Sequence, residues 1–126
     1  MVLRRTCVQI PTASCVFVDR SRQAVEVIRR NVKTARLETN AEIVCGESLA
    51  YLARAAGPFD LVFLDPPYAA ELLVPCLEAL GEKVAAGGMV VCESDRGVQL
   101  PDAAGALALY REYAYGRVIV RLYRKS

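Results

Sequence analysis

The four residues Asp65-Pro66-Pro67-Tyr68 are the part of this sequence whose types and spacing are best suited to chemistry. An amine on a nucleobase ring is a poor nucleophile, because its lone pair is delocalised into the ring. The Asp65 carboxylate and the Pro66 carbonyl can accept hydrogen bonds from such an amine, on a backbone that proline stiffens beforehand. The Tyr68 ring offers a face on which the base can stack. The motif predicts transfer of a methyl group from a sulfonium cofactor to a base amine. The structural alternative is a stiff turn with an exposed tyrosine.

Asp19, Arg20 and the segment Gly46-Glu47-Ser48 are the candidates for holding that cofactor. Asp19 ends an apolar, strand-like run, and its two carboxylate oxygens can accept hydrogen bonds from both hydroxyls of a ribose. The backbone N–H groups of Gly46-Glu47-Ser48 can face an adenine. The structural alternatives are that Asp19 caps the helix that follows it, and that Gly46-Glu47-Ser48 is a turn with a helix N-cap.

The composition excludes several classes of enzyme. The sequence contains no histidine, which removes Ser-His-Asp and Cys-His nucleophiles and histidine-ligated zinc, and we predict no metal site. Its 126 residues, 54% of them hydrophobic, are enough for one domain with one core. Five cysteines without a Cys-x-x-Cys pair favour a reducing cytoplasm over a disulfide-bonded secreted protein. No apolar run approaches the roughly 20 residues of a membrane span, so no membrane partner is expected.

Strand and helix patterns alternate from Cys15 onward, which predicts an α/β fold with a mostly parallel sheet and helices on both faces. The run Phe59–Leu64 is apolar enough for a central strand covered on both faces. Because ligands bind at the carboxyl ends of parallel strands, Asp19, Gly46-Glu47 and Asp65 should meet at one rim of the sheet. The other predicted elements are strands at 15–18, 41–45 and 89–93, helices at 21–36, 47–56 and 71–84, a loop at 95–106, and an antiparallel hairpin of strands 107–115 and 117–124.

Positive charge is concentrated at the two ends of the chain. Residues 110–126 hold five basic side chains against the single acid Glu112, and residues 1–36 hold eight against two. If both basic ends of the chain fold to one side, they predict a surface that binds a polyanion. The alternative is that these basic side chains lie on helix and strand faces that only contact solvent. Four tyrosines lie among the arginines of the second basic end and either contact RNA or pack within the hairpin. These are Tyr110, Tyr113, Tyr115 and Tyr123.

Four segments resemble the RsmD family of S-adenosylmethionine-dependent guanine-N2 methyltransferases of 16S ribosomal RNA: VFVDRSRQAVEVIRRNV, AEIVCGESLAYL, GPFDLVFLDPPY and YGRVIVRLYR. The resemblance implies a class I methyltransferase fold, which is a Rossmann-like sheet with a C-terminal antiparallel β-hairpin. It also implies S-adenosylmethionine as cofactor and 16S ribosomal RNA in the small subunit as partner. By the same resemblance Asp19 is the ribose-binding acid, Glu47-Ser48 lies on the adenine side, and Asp65-Pro66-Pro67-Tyr68 is the catalytic loop. Because DPPY also occurs in adenine-N6 DNA methyltransferases, an adenine-N6 nucleic-acid methyltransferase is an alternative.

The resemblance starts at about Cys15, and the family's first strand and Gly-rich cofactor loop should precede that point. Met1–Ser14 contains no glycine, although a backbone that approaches the cofactor closely needs it. We therefore predict an atypical segment at 1–14 and a methyltransferase domain at 15–126 that lacks the usual first strand. A truncated or frame-shifted gene model would explain this. The alternatives to an active enzyme are an inactive truncated form and a folded, non-catalytic remnant.

The atypical segment has a predicted place in the sheet. Val2–Ile10 has the character of a strand, and Pro11–Ser14 is long enough for a hairpin but too short for a parallel crossover. Without the usual first strand, the strands that end at Asp19 and Leu64 lack their shared neighbour. Val2–Ile10 should therefore fill the vacant place antiparallel to the next strand, or pair with a second chain in a homodimer formed through that region.

Overall fold

The computed structural model describes residues 1–6, 13–65 and 70–126. Two strands come first, helices then alternate with strands as far as the fifth strand, and only strands follow it. In chain order the elements are β1 (Val2–Thr6), β2 (Ala13–Asp19), α1 (Arg22–Thr34), a 3-10 turn (Glu38–Asn40), β3 (Ala41–Cys45), α2 (Ser48–Arg54), β4 (Phe59–Leu64), α3 (Ala70–Leu80), β5 (Val84–Asp95), β6 (Ala103–Ala104), β7 (Leu107–Tyr115) and β8 (Val118–Lys125).

One sheet joins the eight strands of the described residues, in the order β3-β2-β1-β4-β5-β8-β7-β6. The pairs β2–β3 and β4–β5 are parallel, whereas the other neighbouring pairs are antiparallel. The α/β class is confirmed, but the sheet is mixed and has fewer parallel pairs than the alternating pattern predicts. The reversed strands are β1 near the middle and β8 and β6 toward one edge. β2, β3, β4 and β5 still run in one direction, so their carboxyl ends share one rim.

β1 lies between β2 and β4 and is antiparallel to both. Leu3 is opposite Val16 on one side and opposite Val62 on the other, and all three side chains are buried. This confirms the predicted place between β2 and β4 for Val2–Thr6, while residues 7–10 of the predicted strand Val2–Ile10 lie outside the described residues. Both edges of β1 are paired within this chain, so the alternative of pairing this segment with a second chain is not what the structure shows.

Helices cover both faces of the sheet, as predicted. The crossover β2–α1–β3 moves toward one edge of the sheet, and the crossover β4–α3–β5 moves toward the other edge. Because such crossovers are right-handed, α1 and α3 lie on opposite faces of the sheet. α2 contacts α3 and shares its face. The main core lies on that face, where Leu52 and Leu73 pack with Leu3 and Val62. On the other face α1 packs over β2 and β3, and Phe63 of β4 is 47% exposed. The prediction that β4 is covered on both faces is therefore wrong at Phe63.

The boundary between α3 and β5 lies earlier in the chain than predicted. α3 ends at Leu80 and β5 begins at Val84, a residue that the apolar spacing had assigned to the helix. The register of β4 against β5 shifts between the pair Phe59–Val84 and the pair Leu61–Met89. Gly88 lies in this irregular stretch, and a Cβ there would be 2.6 Å from Cγ1 of Val84 and 2.8 Å from the carbonyl oxygen of Ala85. Only glycine fits this bend without moving its neighbours.

β7 and β8 form the predicted antiparallel hairpin, and β8 attaches it to β5. Asp95 at the carboxyl end of β5 is opposite Val118 at the start of β8. The turn between β7 and β8 therefore lies at the same rim of the sheet as the carboxyl ends of β2 to β5.

Two buried side chains hold the segment 96–106 against this hairpin. The guanidinium of Arg121, which is 6% exposed, donates to the carbonyl of Val98 at 2.8 Å. The hydroxyl of Tyr123, which is fully buried, donates to the carbonyl of Pro101 at 2.7 Å. Residues 95–106 were predicted to be a loop, but Asp95 ends β5 and the segment contains the two-residue strand β6, which pairs with β7.

Candidate active site

Asp19 ends β2 and begins the turn into α1. Its Oδ1 accepts a hydrogen bond from the backbone N–H of Ser21 at 2.8 Å. Ser21 is the N-cap of α1, because its hydroxyl accepts from the N–H of Ala24 at 3.2 Å. The interpretation of Asp19 as the helix cap is therefore wrong. Each carboxylate oxygen has two lone pairs, so this single bond leaves capacity on both oxygens of Asp19 for a ligand.

The segment Gly46-Glu47-Ser48 lies between β3 and α2, next to Asp19. The N–H of Gly46 donates to the backbone carbonyl of Asp19 at 2.9 Å, which ties the two loops together. Glu47 is the N-cap residue of α2, although its side chain makes no capping hydrogen bond. Its Oε1 lies 3.8 Å from Nη1 of Arg20, and both side chains are more than half exposed. An ion pair as exposed as this contributes little to stability, so both groups can exchange this contact for a ligand at small cost.

Asp65 follows β4 directly and is exposed. β4 is separated from β2 by β1 alone, so the carboxyl ends of β4 and β2 lie near each other at the same rim. The other three residues of the motif, Pro66, Pro67 and Tyr68, lie outside the described residues.

A cavity of about 310 Å³ brings these positions together. This volume is near the lower end of the range for small-molecule and cofactor sites. Part of its lining is apolar and includes Leu49, Leu64 and Leu72. All the predicted cofactor-binding residues and the one described catalytic residue line it, namely Asp19, Arg20, Gly46, Glu47, Ser48 and Asp65.

Met1 and Cys76, which were not predicted as site residues, also line the cavity. The α-amino group of Met1 donates to the carbonyl of Val18, and the N–H of Val18 donates to the carbonyl of Met1, both at 2.9 Å. Burial lowers the pKa of this α-amino group, and the nearby carboxylates of Asp19 and Asp65 oppose that shift. The position of Met1 follows from the predicted place of β1, because a strand antiparallel to β2 starts where β2 ends. Burial raises the pKa of the Cys76 thiol, which stays neutral near pH 7.

The arrangement combines acceptors, a partly apolar wall and backbone amides at one rim. A carboxylate at Asp19 suits a diol, and a carboxylate at Asp65 suits an N–H donor. Within the described part of the chain, no group of three or more acidic or cysteine side chains is placed to hold a metal ion. None of the described helices is long and apolar enough to cross a membrane.

A family model described as "Conserved hypothetical protein 95" matches residues 11–124. The chain is 34% identical over 116 residues to YlbH of Bacillus subtilis, a protein assigned as an rRNA methyltransferase, and the match covers 88% of this chain and 63% of YlbH. It is 27% identical over 116 residues to Ribosomal RNA small subunit methyltransferase D of Escherichia coli, over 90% of this chain and 58% of that protein. The chain belongs to this RsmD-type family. Its members that match here are named as methyltransferases, and the chain spans about three-fifths of their length.

A solved structure from Streptococcus pyogenes, described as a conserved hypothetical protein, superimposes with a TM-score of 0.81 at 36% identity. The superposition covers 88% of this chain and 71% of that one. A solved structure from Escherichia coli described as the methyltransferase yhhF superimposes with a TM-score of 0.78 at 27% identity, over 88% of this chain and 64% of that one. The class I, Rossmann-like methyltransferase fold that the RsmD resemblance implies is confirmed, with the difference that β1 runs antiparallel to its neighbours.

Proposed function

We propose that this RsmD-type chain binds S-adenosylmethionine and methylates the N2 amine of guanine in 16S ribosomal RNA of the small subunit. The observation that carries the proposal is that Asp19, Gly46-Glu47-Ser48 and Asp65 line one cavity at the carboxyl rim of the sheet. The relatives named as rRNA methyltransferases support the reaction class and the RNA substrate. The cytoplasm as location, and the division into residues 1–14 and 15–126, remain predictions.

The nucleoside end of S-adenosylmethionine fits the residues present. Asp19 would accept hydrogen bonds from the ribose hydroxyls through the lone pairs that Ser21 leaves available. Gly46-Glu47-Ser48 would face the adenine, with the apolar side chain of Leu49 nearby in the same cavity. When bound, the cofactor supplies an electrophilic methyl group on a positively charged sulfur.

Asp65 would hold the target amine. Its carboxylate accepts a hydrogen bond from the amine N–H, which concentrates the nitrogen lone pair on the side facing the cavity. The Pro66 carbonyl accepts the second N–H, and Tyr68 stacks on the base. The nitrogen lone pair would form the new N–C bond as the S–C bond to the methyl group breaks, S-adenosylhomocysteine would leave as the neutral thioether, and the proton that the amine then loses would pass to solvent. No residue of the chain has to change its charge, which is consistent with a sequence that has no histidine.

A second candidate is a folded domain of the same family without catalytic activity. The position of Met1 favours it, because Met1 occupies part of the cavity wall and is hydrogen-bonded to Val18. An inactive chain would keep the fold and the cavity but would bind the cofactor too weakly to react.

The test is the methylated nucleoside formed after incubation with small ribosomal subunits and S-adenosylmethionine, identified by mass spectrometry. The proposal expects N2-methylguanosine, and Asp65→Asn should lower its rate of formation by about 100-fold or more. Asp95→Asn is the matched control, because Asp95 is exposed and is not among the residues that line the cavity. N6-methyladenosine would contradict the base assignment. Absence of any methylated nucleoside would favour the non-catalytic candidate.

A further inference from the structure

One face of the β7–β8 hairpin carries a cluster of exposed tyrosines and arginines, which we call the hairpin patch. On β7, Arg111, Tyr113 and Tyr115 alternate along the strand and lie opposite Leu122, Val120 and Val118 of β8. Alternate residues of a strand point to the same face, so these three side chains share one face with Arg124. Tyr110 joins them through ring contacts with both arginines. The hairpin patch consists of Tyr110, Arg111, Tyr113, Tyr115 and Arg124.

The tyrosines of the hairpin patch are not core residues. Tyr110 is 47% exposed, Tyr113 is 39% exposed and Tyr115 is 65% exposed, whereas Tyr123 on the opposite face is fully buried. Of the two roles predicted for the hairpin tyrosines, packing therefore applies to Tyr123. A cluster of solvent-exposed aromatic side chains is typical of a surface that binds a partner.

The planar guanidinium groups of Arg111 and Arg124 both lie close to the ring of Tyr110. The guanidinium carbon of Arg111 is 5.2 Å from the centre of the Tyr110 ring, and that of Arg124 is 5.7 Å from it on the neighbouring strand. Nη1 of Arg111 also donates a long hydrogen bond of 3.5 Å to the hydroxyl of Tyr113. Rings and guanidinium groups ordered in this way can stack on nucleobases and contact phosphates at the same time.

The charge of the hairpin favours an anionic partner. Residues 110–126 have one acid, Glu112, and it lies opposite Arg121 on the other face, with its Oε1 3.7 Å from Nε of Arg121. Arg111 and Arg124 thus stand on a face of the hairpin that has no acid of its own. The acids beside it on that face of the sheet are Glu93 and Asp95 of β5, opposite Val120 and Val118. A positive surface with exposed aromatic rings is typical of proteins that bind single-stranded nucleic acid.

One end of the hairpin patch lies at the rim of the sheet that carries the candidate active site. Leu64 is opposite Cys92, and Asp95 is opposite Val118, so the turn after Tyr115 extends beyond the same rim that carries Asp65. Three strand spacings separate β4 from β7, which amounts to about 14 Å. A few unpaired nucleotides can bridge this distance.

We propose that the hairpin patch binds unpaired RNA that flanks the base presented to Asp65. The choice of RNA as the bound nucleic acid rests on the proposed function. RNA binding by the hairpin itself can be measured without cofactor and without turnover. Tyr113 and Tyr115 stack on bases, and Arg111 and Arg124 contact phosphates.

The test is fluorescence anisotropy of a labelled single-stranded RNA of about 12 nucleotides, titrated with the protein in the absence of cofactor. Tyr115→Ser should weaken binding by about fivefold or more, and Tyr115→Phe should keep it, because the phenyl ring still stacks. The double variant R111Q/R124Q should weaken binding and reduce the slope of log affinity against log salt by about 1.4, which corresponds to two phosphate contacts. The control R29Q/R30Q removes the same charge from exposed positions of α1, at the other end of the sheet, and should leave both quantities close to wild type.

Four results would overturn the proposal. These are no binding of the RNA by the wild-type chain, equal losses for R29Q/R30Q and R111Q/R124Q, equal losses for Tyr115→Ser and Tyr115→Phe, and tighter binding of a duplex than of the single strand. Self-association that Tyr115→Ser abolishes while RNA affinity stays unchanged would instead identify the hairpin patch as a contact between two copies of the chain. Failure of the proposed function would appear separately, as intact RNA binding without methyl transfer.

Discussion

Leu3→Ala is the change that tests whether β1 is an integral part of the sheet. Leu3 is fully buried between Val16 and Val62 and belongs to the main core. Truncating a fully buried leucine to alanine costs about 2–5 kcal/mol, because both transfer free energy and packing are lost. Since Leu3 has strand neighbours on both sides, we expect at least about 3 kcal/mol. With a slope of about 2 kcal/mol per molar urea, the unfolding midpoint should fall by about 1.5 M.

The matched control is Leu37→Ala, because Leu37 is 51% exposed. Its effect on the free energy of unfolding should stay within about 0.5 kcal/mol. Both variants are followed by urea unfolding with far-UV circular dichroism at constant pH. A midpoint for Leu3→Ala that equals that of Leu37→Ala, with an unchanged slope, would refute the placement of β1 between β2 and β4.

Two further predictions concern the buried polar groups of the hairpin. Burial raises the pKa of Tyr123 to about 12, above its usual value near 10, so the folded state holds this proton more tightly than the unfolded state does. The resulting stability is fully present below about pH 10. It is lost as the pH rises toward 12, and Tyr123→Phe should flatten this alkaline part of a plot of melting temperature against pH. Arg121→Met removes the donor to the Val98 carbonyl and should destabilise the fold by about 2 kcal/mol in urea unfolding. An effect within the error of the wild type would contradict the anchoring role.

The strands that the sequence predicted best are those with sharp boundaries. Phe59–Leu64 was predicted to the residue, because it is a continuous apolar run between Gly57-Pro58 and Asp65-Pro66. The start of β5 was missed, because Ala85-Ala86-Gly87-Gly88 has no side chains large enough to show alternation. β6 was missed for the same reason, since it consists of two alanines.

The covering of the sheet was harder to predict than the strands themselves. Hydrophobicity shows that Phe63 suits a buried position, but only the three-dimensional arrangement shows that α1 packs over β2 and β3 instead. The placement of β1 was predictable for two reasons. The strands that end at Asp19 and Leu64 lacked a shared neighbour, and the predicted connection to β2 was too short for a parallel crossover but long enough for a hairpin.

The candidate site was predictable where a residue ends a strand. Asp19 and Asp65 each follow an apolar run, and parallel strands must bring their carboxyl ends to one rim, so their common cavity follows from topology. Cys76 lies on α3 and reaches the cavity through the packing of that helix, which no local pattern reveals. The roles of Pro66, Pro67 and Tyr68 rest on the motif, because these residues lie outside the described part of the chain.

Calorimetric titration with S-adenosylhomocysteine, the product form of the cofactor, tests the cavity assignment most directly. The wild type should give measurable heat on titration and a raised melting temperature. Asp19→Asn should weaken binding by about 10-fold or more, because a charged acceptor of the ribose hydroxyls is lost while the asparagine oxygen can still accept from Ser21. Asp95→Asn should bind as the wild type does. No heat and no melting shift at about 1 mM ligand would contradict the assignment, since that result would limit the binding free energy to less than about 4 kcal/mol.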